Sequence, residues 1–112
     1  MKKYVSALIQ CSLALLMASQ AVAQDASTYP NKPVRLIVPV PPGGAADAMA
    51  RLIAPKMGEA LGQPVIIENK PGASGQIGAS AVAKAAPDGY TLMLDASSFS
   101  ANPALYPKLP YD

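Results

Sequence analysis

Val34-Arg35-Leu36-Ile37-Val38-Pro39-Val40-Pro41-Pro42-Gly43-Gly44-Ala45-Ala46-Asp47 is the stretch that decides the fold. Its first part is a nearly continuous apolar, β-branched run, which predicts a strand over Val34 to Pro39 covered on both faces. Prolines and glycines then stop the strand. An alanine-rich pattern led by Asp47 begins a helix expected over about Ala45 to Leu61. The loop between them opens its backbone N–H groups at a helix N-terminus, a place that suits a carboxylate or another anion.

Outward from this stretch the same alternation continues. In the first helix Met49, Leu52, Ile53, Met57, Ala60 and Leu61 recur at three- and four-residue steps and read as the buried stripe. Pro55 interrupts that run with a missing donor, and Gly62 is a natural stop. A second strand is expected over Pro64 to Glu68, a turn-rich loop over Asn69 to Gly75, and a second helix over Gln76 to Ala86. That helix is expected to bury Ile77, Ala81, Val82 and Ala85. Pro87-Asp88-Gly89 turns the chain into a third strand, Tyr90 to Leu94, followed by a polar loop from Asp95 to Ala101. Asn102 as N-cap and Pro103 at the first helical position would then start another short helix.

The order is β-α-β-α-β, an α/β class with a parallel sheet and right-handed crossovers. Ligands in such sheets sit beyond the carboxyl ends of the strands. Three loops reach that edge: Val40 to Ala46, Asn69 to Gly75 and Asp95 to Ala101.

Residues 1–23 read as a cleavable Sec export signal. Lys2 and Lys3 form the basic start, an apolar run includes Leu13 to Ala18, and Ala21-Val22-Ala23 is the small-x-small cleavage site. Gln10, Ser12, Ser19 and Gln20 break the run too often for a mature membrane span. The reading is therefore a soluble periplasmic product, with residues 24–33 a loose leader and residues 34–112 a partial α/β domain. Cys11, the single cysteine, lies inside the signal, so the mature chain holds no disulfide, thiol nucleophile or cysteine metal site. Histidine is absent, which removes the commonest general base and metal ligand. Lys2 and Lys3 account for the excess of nine cations over seven anions, so the mature chain is neutral and lacks a basic stripe for nucleic acid or anionic lipid.

Candidate ligand-binding residues follow from the edge loops. Gly43, Gly44 and Ala45 offer amides to a ligand carboxylate, directly or through water. Asp47 either caps the helix start and orders the loop or accepts from a ligand. Ala96, Ser97 and Ser98 follow the third strand and face the same cleft, with hydroxyls that could donate to a carboxylate. Two other chemistries have partial signals in the sequence. A small exported hydrolase would use Ser97 or Ser98, but G-x-S-x-G is absent and only Lys70 or Lys84 could serve as base. Gly72-Ala73-Ser74-Gly75-Gln76-Ile77-Gly78 echoes a dinucleotide loop, yet its glycines are spaced by three where G-x-G-x-x-G is needed. Gly75 and Gly78 more simply let a helix approach the sheet. No metal constellation and no cofactor is read.

Four blocks, Tyr29 to Ala54, Leu61 to Gly78, Val82 to Leu94 and Asn102 to Asp112, resemble the Bug receptors, periplasmic substrate-binding proteins of tripartite tricarboxylate transporters. The resemblance implies the first domain of a type II periplasmic-binding-protein fold, two α/β domains closing on a small carboxylate. It implies partnership with the transporter's membrane subunits, no catalytic chemistry and no direct membrane anchor. It places the loop from Val40 to Asp47 in carboxylate recognition, with the loop from Asp95 to Ser98 bordering the cleft. Three residues depart from the family pattern: Val40 replaces an aromatic residue, Ala46 a threonine or serine, and Asp95 a frequent glycine. Family members are much longer, so this chain is expected to be an N-terminal piece with the second domain absent.

Overall fold

The computed structural model describes residues 28–111, so the export-signal reading of residues 1–23 and the start of the leader lie outside the described residues. The elements are β1 (Val34–Val38), α1 (Ala45–Leu61), β2 (Val65–Asn69), a 3-10 turn (Ala73–Gly75), α2 (Gln76–Ala83), β3 (Thr91–Met93) and α3 (Ser98–Leu105). The three strands form one parallel sheet in the order β2-β1-β3. The expected α/β class and parallel pairing are thus present.

β1 is central because it is the most apolar strand. Val34, Ile37 and Val38 are fully buried and Leu36 nearly so. Leu36 and Val38 point to one side and join Ala50 of α1, with Val65, Ile67, Leu92 and Leu94 packed around them. Ile37 points to the other side and is buried too, as the sequence reading of a strand covered on both faces requires. α1 packs on β1 and β2, and α2 on β1 and β3. Only Arg35 interrupts the buried run. Its partner in register is Ile66, and its guanidinium forks onto Glu68 at 2.6 and 2.8 Å. That hydrogen bond holds the Glu68 carboxyl below the usual range. Ladder bonds continue past the assigned ends of β3, from Arg35 N to Tyr90 O and from Leu94 N to Ile37 O.

α1 runs unbroken through Pro55 and ends, as read, at Gly62 in the left-handed conformation. Its buried face is only partly the predicted one: Ile53, Met57 and Leu61 are half-buried, but Ala60 is exposed. Asp47, Ala50 and Ala54 face inward, while Met49 and Leu52 are 55% and 70% exposed. Small side chains let the helix axis lie close to the sheet, and Met49 and Leu52 are left outside. α2 differs similarly. It ends at Ala83 rather than Ala86, and Gly78 and Ala79 are its buried residues while Ile77 is exposed. A Cβ on Gly78 would stand 2.8 Å from Pro39 Cβ and 3.2 Å from the Lys70 carbonyl oxygen. Gly78→Ala is therefore expected to destabilise the fold by about 1–2 kcal/mol, because overpacking against backbone outweighs the better helix propensity of alanine. A denaturant midpoint unchanged or raised would contradict this packing.

The leader is fastened rather than loose where it is described. Tyr29 Oη donates to Gly89 O at 2.7 Å, and Asn31 N donates to Tyr90 Oη at 2.9 Å. The Tyr29 and Tyr90 rings lie 4.9 Å apart, and Lys32 sits over the Tyr90 ring while pairing with Asp88. This clasp joins residues 29–32 to the turn that feeds β3, at the end of the sheet away from the cleft.

Candidate functional site

The strand order has a consequence for the site. The chain leaves β1 toward β2 on one side, then returns across to β3 on the other. A reversal of this kind opens a crevice beyond the carboxyl ends of the neighbouring strands, here β1 and β3. An open depression of about 560 Å³ lies there. Pro39, Val40 and Pro41 form one wall; Gly72, Ser74 and Gly75 form a second. Asp95, Ala96, Ser97 and Ser98 form the third.

The loop after β1 is held from beneath by a buried carboxylate. Asp47 is 2% exposed and accepts three hydrogen bonds: from Gly43 N at 2.8 Å, Arg51 Nε at 2.9 Å and Asn69 Nδ2 at 2.9 Å. Asn69 also donates to Val40 O at 3.1 Å, so the same amide grips both ends of the loop. Each placement has a local cause. Arg51 is one helical turn beyond Asp47, and Asn69 ends β2 in register with Val38. The hydrogen bond from Arg51, then those from Gly43 and Asn69, hold the Asp47 carboxyl far below the usual carboxylate range. These three bonds are the geometry of a loop-ordering carboxylate. Sequence reading missed Arg51 and Asn69, although the i,i+4 spacing of Asp47 and Arg51 was a signal.

Gly43 adopts φ +89° and spends its amide on Asp47, whereas the amides of Val40, Gly44, Ala45 and Ala46 have no internal acceptor among the described residues, those of Gly44 and Ala45 lying at the start of α1. Gly44 caps α1 with no side-chain bond, and only its carbonyl is engaged, by Ala48 N. A Cβ there would lie 3.7 Å from Pro41 O and 3.9 Å from Val40 Cγ2, so Gly44 stands against the wall of the depression. Gly43, Gly44, Ala45 and Asp47 are not themselves in that wall. Ala96, Ser97 and Ser98 are.

The third loop departs from its reading. α3 starts at Ser98, five residues earlier than expected. Asp95 accepts from Ser98 Oγ at 2.8 Å and from Phe99 N at 2.7 Å, so it satisfies the helix start. Asn102 is not an N-cap: it is buried inside α3, where it donates to Ser74 O at 3.0 Å. Tyr106 Oη meets Ser74 Oγ at 3.0 Å. These two contacts pin the second loop, whose residues Ala73 and Ser74 both have positive φ. Ser98 donates to the Asp95 carboxylate and Lys70 pairs with Glu68, so these two are not arranged as a base–nucleophile pair. Gly75 and Gly78 serve close approach: added Cβ atoms would meet Ser98 and Pro39. Among the described residues no helix is long and apolar enough to cross a membrane, and no group of three or more acidic, Cys or His residues could hold a metal ion.

Residues 49–112 match the sequence profile of the tripartite tricarboxylate transporter family receptor, TctC. The chain belongs to the TctC family. TctC and Bug proteins are periplasmic solute-binding receptors, and the resemblance read from the four sequence blocks is thereby established. Protein BugT of Bordetella pertussis is 48% identical over 96 residues, which is 84% of this chain and 29% of BugT. A solved periplasmic transporter is 54% identical with a TM-score of 0.70, over 75% of this chain and 29% of the other. MatC from Rhodopseudomonas palustris, solved with bound malate, is 49% identical with a TM-score of 0.56, over 58% of this chain and 22% of MatC. The chain therefore spans under a third of the length of the relatives it matches.

Proposed function

We propose that this TctC-family chain contributes the first α/β domain of a periplasmic receptor that captures a small carboxylate for a tripartite tricarboxylate-type transporter. The observation that carries the reading is the pair of amides, Gly44 and Ala45, at the start of a seventeen-residue helix. They stand at the carboxyl edge of the central strand, on a loop already shaped by Asp47, Arg51 and Asn69. A helix start with open amides attracts an anion by hydrogen bonding and by its dipole. The dicarboxylate in the malate complex of MatC supports carboxylates as the ligand class. Ser97 at the opposite wall offers a hydroxyl, and Ala96 adds apolar contact.

In this reading residues 1–23 direct export and are removed, residues 24–33 lead into the domain, and residues 34–112 form part of domain 1. A second domain would close over the depression by hinge motion, and the membrane subunits of the carrier would receive the loaded receptor. The chain's own residues bind and orient; no step of bond making is assigned to them.

Thermal unfolding in a panel of mono-, di- and tricarboxylates tests the proposal on the protein as its gene encodes it in full. At free ligand a hundredfold above Kd, the correct carboxylate is expected to stabilise by about 2.7 kcal/mol and to be recovered unchanged. A panel in which no carboxylate raises the midpoint, or one in which a ligand is consumed, would remove the receptor reading.

A further inference from the structure

Among the described residues, Asp95 is the only charged one in the wall of the depression. The described ion pairs engage Asp47, Glu68 and Asp88, and none engages Asp95. The carboxylates of Asp47 and Asp95 therefore differ in kind. Asp47 is buried under the first loop and offset by Arg51. Asp95 stands at the wall, with neutral partners only: the Ser98 hydroxyl and the Phe99 amide. Those two donors belong to the start of α3, so the acid consumes two of the groups through which that helix could meet a ligand anion. Each Asp95 oxygen keeps a further lone pair after these bonds.

We propose that Asp95 makes this receptor selective for carboxylates bearing a single negative end, with an ammonium or uncharged group directed to the third loop. The proposal rests on the carboxylate-receptor reading and narrows its ligand class. One anionic end of the ligand meets Gly44 and Ala45. A second carboxylate at the far wall would face an uncompensated acid of like charge, with the Ser98 hydroxyl and the Phe99 amide already taken. An ammonium placed there gains the same acid as an acceptor. Partial screening from the open side makes the discrimination depend on ionic strength.

Calorimetric titration of the full gene product with butyrate, 4-aminobutyrate and succinate, matched at four carbons, tests this directly. The expected order is 4-aminobutyrate tightest and succinate at least tenfold weaker, with the ratio shrinking as salt rises from low to near-molar. Asp95→Asn keeps an oxygen for the Phe99 amide and removes the charge, and is expected to shrink the ratio at least fivefold. Asp95→Ser is a second variant with the same expectation, so a folding failure of one leaves the test intact. Succinate binding as tightly as 4-aminobutyrate, or a ratio unmoved in a folded variant, overturns the assignment to Asp95 while the receptor reading stands. Absence of binding by every carboxylate overturns both.

Discussion

Ile37→Ala is expected to shift the urea midpoint by an amount equivalent to about 2–5 kcal/mol, with an unchanged m-value. Ile37 is 0% exposed at the middle of the central strand, paired in register with Glu68 on one side and Met93 on the other. Both its neighbours along the strand face the opposite side, and Arg35, the other β1 residue on its face, is committed to Glu68. Domains of this size hold roughly 0.05–0.15 kcal/mol of stability per residue, so the loss would take a large part of the total. Ile37→Val, which removes one methyl group, is expected to cost only about 0.5–1.5 kcal/mol. Leu52→Ala on the exposed face of α1 serves as the control. An Ile37→Ala shift no larger than that control would contradict the placement of the core.

Asp47→Ala is the second change with a large expected effect, and it acts on both stability and binding. It strands the Gly43 amide and the Arg51 and Asn69 donors at once, and releases the loop that carries Gly44 and Ala45. A fall in the thermal midpoint on the order of 10 °C is expected, together with at least a tenfold loss of carboxylate affinity. The pH dependence has a definite sign. The hydrogen bond from Arg51, reinforced by Gly43 and Asn69, lowers the Asp47 pKa in the folded chain. A carboxyl that ionises more readily folded than unfolded contributes its full stabilisation above the unfolded value, near 4. That contribution is lost as pH falls from there through the folded value. Glu68, lowered by Arg35, adds in the same direction. Wild type should therefore weaken below about pH 4, and Asp47→Asn should flatten that decline to the part due to Glu68. An unchanged acid limb in Asp47→Asn would contradict the network.

The fold class and element order were legible because local signals agreed with the global arrangement. The apolar run of β1, the glycine stop at Gly62 and the turn at Pro87-Asp88-Gly89 each pointed the same way. Three features were not legible. The order β2-β1-β3 depends on which strand can be buried on both faces, a comparison among strands rather than a property of one. The inward face of α1 was misread because hydrophobicity favoured Met49 and Leu52, whereas close packing on the sheet selects Ala50 and Ala54 and tolerates Asp47 once three donors satisfy it. The start of α3 was misplaced because Asn102-Pro103 matches a cap followed by a first-turn proline. The Asn102 side chain is instead committed to Ser74 O, and Asp95 serves the helix start. For the site, loop positions were readable from strand ends. The Asp47–Arg51–Asn69 network was not, since it joins residues from two elements that meet only after the sheet forms.

Amide chemical shifts followed during carboxylate titration of isotope-labelled protein address the binding loop most directly. Saturable downfield movement of the Gly44 and Ala45 N–H signals is expected, with Gly43, already bonded to Asp47, changing little. Saturation elsewhere with those two amides unmoved would mean that the ligand's acid group is held by other atoms, and that the opening at the head of α1 is only a bend in the chain.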